Sequence, residues 1–295
     1  MLIRLGYDIR FDIAAPLTYV AQLKVHPSRI ADLREPDFLK VESSEFGYYP
    51  AEDGSNILPT HEYIDSYGNI CTRFTAPRGH LKLSNSTLIE DSGLVDPVAP
   101  DAREIPTQDL PDDVLRFLLA SRYCETDLLA PIAFDLFGKV EPGWNRVQAI
   151  CDWVQSKVTF NYGMTRPTKT ALDVFTERVG VCRDFQHLAV AFCRCLNIPA
   201  RYVAGYLGDI RVPLRLPMDF SAWFEVYLEN QWWAFDARNN TPRIGRVLMA
   251  TGRDAADVAF LTSFGTSVMT NFFVVSDEVI DETGQTVQPP VLPQT

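Results

Sequence analysis

The chain has 295 residues, 46% of them hydrophobic, enough for two domains with cores of their own. It carries 27 basic against 38 acidic residues, a net charge of −11, and has a pI near 4.9. That acidity disfavours a nucleic-acid partner, which would need a basic surface. No apolar stretch approaches the length of a membrane span, and the first residues lack the apolar run and small-residue site of a secretory signal. The expectation is therefore a cytoplasmic protein with no membrane partner.

Residues 1 to about 90 read as β-structure. Leu2–Ile9, Arg73–Ala76 and His80–Ile89 alternate apolar and polar side chains, and Asp65–Asn69 reads as a turn between two strands. Short strands at this spacing predict a β-sandwich over residues 1–100. A Pro- and Asp-rich stretch from Val95 to Pro111 follows, and 101–112 is expected to be an extended linker.

Helical periodicity begins beyond it. Asp112 and Asp113 suit a helix start, and Val147, Ile150, Trp153 and Val154 fall on one face of a second helix. A third helix is marked by Phe185, Leu188, Ala189, Phe192 and Leu196, and Cys182 sits on its first turn after Gly180. After Pro199 the period becomes that of strands: Ala200–Leu207, Ser221–Leu228 and Gln231–Asp236, with Glu229-Asn230 suited to a tight hairpin turn. Val268–Ser276 reads as a last strand, and 282–295 as a frayed tail.

The six cysteines, Cys71, Cys124, Cys151, Cys182, Cys193 and Cys195, are scattered without CxxC spacing and read as reduced thiols. No cluster of His, Cys, Asp or Glu has metal-ligand spacing, and no calcium-loop pattern is visible, so neither metal nor cofactor is expected. Cys182 differs from the others in position. Unpaired N–H groups and the dipole at a helix start favour a thiolate there, and a thiolate is a nucleophile. The alternative for Cys182 is a small apolar core residue.

A helix-start cysteine followed by a β-hairpin with polar residues is the order of papain-type nucleophiles, in which a histidine carries protons and a third group orients it. Gly180–Phe185, Ile198–Leu207, Ala222–Leu228 and Trp233–Asn240, in that order, resemble the core of the bacterial transglutaminase-like superfamily. The N-terminal third resembles the β-domain that often precedes this core. The resemblance implies an α+β fold: an N-terminal β-sandwich, then a papain-like, transglutaminase-like core over 113–281 with the cysteine helix packed on an antiparallel sheet.

It also implies a Cys-His-Asp set. The cysteine falls on Cys182 and the aspartate on Asp236, but the histidine position, which opens Ser221-Ala-Trp223, holds serine. A serine hydroxyl is no base near neutral pH. Ser221 either completes a Cys-Ser-Asp network or marks a site that has lost its chemistry. Of the four histidines, His26, His61 and His80 lie in the N-terminal third. His187 stands about 140° off the Cys182 face of its helix, as expected of a histidine bonded within the fold, with a place in the substrate cleft or an acid–base role as the alternative.

Trp223 is a candidate core or cleft-wall aromatic, and Asn161 or Tyr162 a candidate second oxyanion donor beside the Cys182 N–H. Asp184 is expected to stabilise the helix start, and Asn239 and Asn240 to form a turn. The resemblance implies attack on a peptide or isopeptide amide through a thioester, ending in hydrolysis or acyl transfer to an amine, on a peptide or protein substrate. The competing expectation is a catalytically impaired pseudoenzyme that binds a peptide or protein.

Overall fold

The computed structural model describes residues 1–45, 56–164, 166–214, 217–281 and 284–286, so most of the expected tail, 282–283 and 287–295, lies outside the described residues. The fold is α+β. Six strands open the chain: β1 (Leu2–Ile13), β2 (Leu17–Ala21), β3 (Lys40–Ser44), β4 (His61–Ile64), β5 (Ile70–Ala76) and β6 (Gly79–Glu90). In β1 the inward side chains Ile3, Leu5, Tyr7, Ile9, Phe11 and Ile13 are all buried, as strict alternation requires. Asp65 makes the turn before β5: its side chain accepts from the Tyr67 and Asn69 N–H groups at 2.8 and 2.9 Å, and Gly68 takes φ +87°.

Four helices follow, α1 (Thr126–Phe137), α2 (Trp144–Lys157), α3 (Ala171–Glu177) and α4 (Cys182–Cys195). Two short parallel strands, β7 (Thr159–Phe160) and β8 (Val179–Gly180), lie between them in the chain. The helix expected after Asp112 is only a 3₁₀ turn over Leu115–Leu118. Buried Arg194 takes the Leu119 carbonyl at 3.1 Å, which ends the turn, while Phe117 packs edge-on against Trp232 at 5.3 Å.

The core sheet is antiparallel, in the order β11-β10-β9-β12: β9 (Ala200–Leu207), β10 (Ser221–Leu228), β11 (Gln231–Phe235) and β12 (Arg246–Gly252). Glu229 and Asn230 both take positive φ, +50° and +64°, so the β10–β11 hairpin closes in two residues. Helix α4 is buried from Asp184 to Cys195, with α1, α2 and α3 around it and β9 and β10 beneath it.

Two departures from the sequence expectation concern the joint between the parts. The last strands, β13 (Leu261–Ser263) and β14 (Ser267–Glu278), do not extend the core sheet. β14 pairs with β1 along Ile3–Ile13 and β13 with β2, giving sandwich sheets β14-β1-β6-β3 and β13-β2-β5-β4. The alternation of Val268–Ser276 announces a strand but carries no information on its partner. The stretch before the helices is extended, but it is pinned to the core rather than free. Asp96 accepts from the Arg243 N–H and from Arg246 Nε, both at 2.8 Å, Ala102 is buried, and Glu104 pairs with Arg146 at 3.0 Å.

Candidate active site

Helix α4 begins where two backbone turns converge. The parallel β7–β8 pair aligns Phe160 with Gly180, and the Asn161 N–H donates to the Gly180 carbonyl at 3.0 Å. Val181 N–H is capped by the Asp184 carboxylate at 3.0 Å, so Asp184 does stabilise the helix start as expected. Gly180 is required for space, not for a positive φ. A Cβ on it would lie 2.6 Å from Asp184 Cβ and 2.9 Å from Asp184 Oδ2.

Cys182 stands in the wall of a cleft of about 300 Å³ with Tyr162, Asp219, Ser221, Arg238 and Asn239. The helix start does not make its thiol acidic. Burial pushes it up to about 11, and the negative charge of Asp219 adds to that. The Arg238 guanidinium and an N–H from Arg183 act in the opposite direction without overcoming it.

Asp236 directly follows β11 and is almost wholly buried. Its Oδ1 accepts from Gln186 Nε2 at 3.0 Å and from the N–H groups of Arg238 and Asn239 at 3.0 and 3.1 Å. Its Oδ2 accepts from Asn239 Nδ2 at 2.8 Å and faces Arg246 Nη2 at 3.4 Å. Burial works to raise this carboxyl, but Arg246 and the donors from Asn239 and Arg238 prevail and hold it below the usual carboxylate range. Asp236 is therefore a fixed anion behind the cleft, and the Asn239 side chain links it to the cleft wall.

Of the residues singled out in the sequence, Cys182, Ser221 and Tyr162 meet in the cleft, with Asp236 behind Asn239. Trp223 is 2% exposed and packs over Gly205, where a Cβ would come within 2.6 Å of its ring; it lies in the sheet and not in the cleft wall. Asn161 does not line the cleft; its Oδ1 accepts from the Gly163 N–H at 2.9 Å in a turn.

His187 is fully buried on α4, stacked on Tyr123 at 5.0 Å, with Nε2 accepting from the Ala255 N–H at 3.1 Å. Burial and the charges of Arg183 and Arg194 hold it neutral, well below the ordinary histidine range. His26 accepts from the Ser28 N–H, His61 is on exposed β4, and His80 pairs with Asp12 on the sandwich. None of the four histidines lines the cleft.

Three participants escaped the sequence reading. Gln186 is four residues after Cys182, hence on the same helix face, and that spacing was the available signal. Its Nε2 donates to the Ala222 carbonyl at 3.2 Å as well as to Asp236, and its Oε1 accepts from the Ala237 N–H at 3.1 Å. Arg238 lies over the Phe160 ring at 3.9 Å and brings a cation to the cleft. Asp219 stands two residues before Ser221 and faces the cleft from the approach to β10. All six cysteines are free. Among the described residues no helix is long and apolar enough to cross a membrane.

Comparison with known proteins agrees with this fold. Residues 131–237, which include Cys182, Ser221 and Asp236, match the family model described as the transglutaminase-like superfamily. The chain is 30% identical to a candidate cysteine protease of known structure from Cytophaga hutchinsonii, over 99% of this chain and 93% of that one, with a TM-score of 0.78. It is 28% identical over 210 residues to an uncharacterized protein of Mycobacterium leprae, spanning 68% of this chain and 74% of that protein. It is also 28% identical over 214 residues to one of Mycobacterium tuberculosis, spanning 66% of this chain and 68% of that protein.

Proposed function

The chain belongs to the transglutaminase-like superfamily, and we propose that it acts on peptide or protein amides through a thioester on Cys182. The observation that carries this reading is the position of Cys182 at the start of α4, opening into a cleft with Ser221, Asn239 and Arg238 and backed by the fixed Asp236 anion. Cys182 Sγ attacks the carbonyl carbon, the C–N bond breaks, and the amine leaves with a proton. Water then gives hydrolysis, or a second amine gives acyl transfer. Ser221 and Asn239 complete the polar wall in a Cys-Ser-Asp arrangement. The likeness to a candidate cysteine protease supports amide chemistry. The six free thiols support a reducing, cytoplasmic setting, and the acidic surface argues against a nucleic-acid partner.

The test is acyl-enzyme capture. The protein is incubated at pH 9 with a p-nitrophenyl ester and with a glutamine-containing peptide, quenched in acid and weighed by mass spectrometry. An adduct on Cys182 that disappears in Cys182→Ala is expected. Absence of any adduct sinks the enzymatic reading. A second reading, a peptide-binding pseudoenzyme, draws on the absence of an imidazole from the cleft and on the thiol being pushed up to about 11. It is favoured if a peptide binds equally to the unaltered chain and to Cys182→Ala while neither is acylated.

A further inference from the structure

With serine where the family resemblance implies histidine, amide cleavage lacks a group to move the proton from sulfur to the departing nitrogen. The cleft holds a candidate that does not depend on Ser221. Asp219 and Cys182 share the walls of two adjoining clefts, one of about 300 Å³ with Tyr162 and Arg238 and one of about 240 Å³ with Tyr202 and Phe260. The Asp219 charge acts on the Cys182 thiol, and both act on Tyr162. Among the described residues the Asp219 carboxylate accepts a hydrogen bond from the Phe220 N–H and has no ion-pair contact, which leaves oxygen lone pairs for the cleft.

We propose that Asp219 carries the proton between Cys182 Sγ and the leaving nitrogen. This rests on Cys182 being the nucleophile. As the S–C bond forms, the S–H proton passes to an Asp219 oxygen. As the C–N bond breaks, that proton passes to nitrogen, and the carboxylate is restored. In hydrolysis, water gives its proton to Asp219 while attacking the thioester, and the departing sulfur receives it.

The surroundings suit this exchange. Burial pushes the Asp219 carboxyl up, against the Phe220 N–H and Arg238, so the protonated form is more accessible than on an exposed aspartate. Arg238 lies near both partners and lowers each of them. The other charged or titratable groups facing the two clefts are Tyr162 after β7, Arg183 on α4, Tyr202 on β9, Asp209 after β9 and Arg243 before β12. Asp209 and Arg243 are committed to each other at 2.9 Å.

The experiment compares one acyl group on two leaving groups, p-nitrophenolate and p-nitroaniline, in the unaltered chain, Asp219→Asn and Asp219→Glu. Iodoacetamide alkylation of Cys182 is measured alongside. A nitrophenolate leaves without a proton; an anilide nitrogen needs one. Ester acylation and alkylation can also draw on thiolate formed by loss of the S–H proton to water, which Asp219→Asn favours by removing a negative charge, so they should fall far less than anilide cleavage, and retained alkylation reports that the variant is folded. Anilide cleavage should fall by about 100-fold or more, and Asp219→Glu should restore part of it.

Equal changes on ester and anilide overturn the assignment of Asp219. So does an unaltered chain that acylates with the ester but never cleaves the anilide; both results leave Cys182 as nucleophile. Failure of both substrates to acylate Cys182 overturns the proposed function itself, and the role of Asp219 with it.

Discussion

Gln186 Nε2 lies 3.0 Å from Asp236 Oδ1, and this contact ties the nucleophile's helix to the end of the strand that carries the anion. The same amide bonds the Ala222 carbonyl and the Ala237 N–H, so one side chain sets the spacing of α4, β10 and the segment that follows β11. Gln186→Leu keeps the volume and removes all three bonds. Asp236 Oδ1 keeps its bonds from Arg238 and Asn239, but the Ala222 carbonyl and the Ala237 N–H lose theirs; at about 1–3 kcal/mol for each, thermal unfolding should show a loss of about 2–6 kcal/mol. Ester acylation of Cys182 should fall as well, because the helix start is no longer held against the sheet.

Restoring histidine should act through Asn239. Ser221 already lines the cleft with Cys182, but Asn239 Nδ2 occupies Asp236 Oδ2 at 2.8 Å, where an imidazole N–H would have to bond. Ser221→His alone is expected to raise anilide cleavage, and Ser221→His with Asn239→Ala to raise it further. The full gain should be about 10²–10⁴-fold, the usual range for a positioned acid–base group. Equal rates for the single and double variants would show that the imidazole does not reach Asp236.

The thiol itself sets a pH signature. With Cys182 pushed up to about 11, its neutral form dominates at neutral pH, and the reactive thiolate grows as pH rises toward that value. Iodoacetamide alkylation should therefore climb about tenfold per pH unit through pH 9, with no plateau there. Arg238→Met removes the cation that lowers this thiol and should slow alkylation at every pH below the plateau. A plateau by pH 8 would show that the helix start outweighs burial after all.

Gly180 offers a local test of how the nucleophile is placed. In Gly180→Ala the new methyl would fall 2.6 Å from Asp184 Cβ, so the carboxylate must leave the Val181 N–H or β8 must shift. Overpacking of this kind costs about 1–3 kcal/mol. Denaturant unfolding should register that loss, together with slower acylation of Cys182.

What the sequence could disclose followed from the range of the interactions. The α4 start, the β9–β11 strands and the two-residue hairpin at Glu229-Asn230 depend on local periodicity and turn chemistry, and the structure has them. Cys182 and Ser221, which the order of the core segments placed in one site, share a cleft, and Tyr162, taken separately as a candidate oxyanion donor, lines it too. The thiol's high value was not legible, because burial arises from distant segments while the helix dipole is visible locally. Arg238 and Asp219 were missed for the same reason: each lies in a connection whose path is set by tertiary packing. The α1 helix was obscured by Pro131 inside it, and the 3₁₀ turn after Val114 by the reach of Arg194 from another helix.

The pairing of β14 with β1 bears on how the molecule assembles. β1 is bracketed by β6 on one side and by β14 on the other, and its partners on that second side, Ser267–Glu278, lie more than 250 residues further along the chain. During synthesis β1 must wait, with one edge unsatisfied, until the whole transglutaminase-like core has emerged. The sandwich is thus completed last although it is begun first, and loop closure over so long a span makes its final step slow. A nascent chain cut short before β13 would hold the core helices yet leave β1 as an open edge, the kind of surface on which polypeptides aggregate.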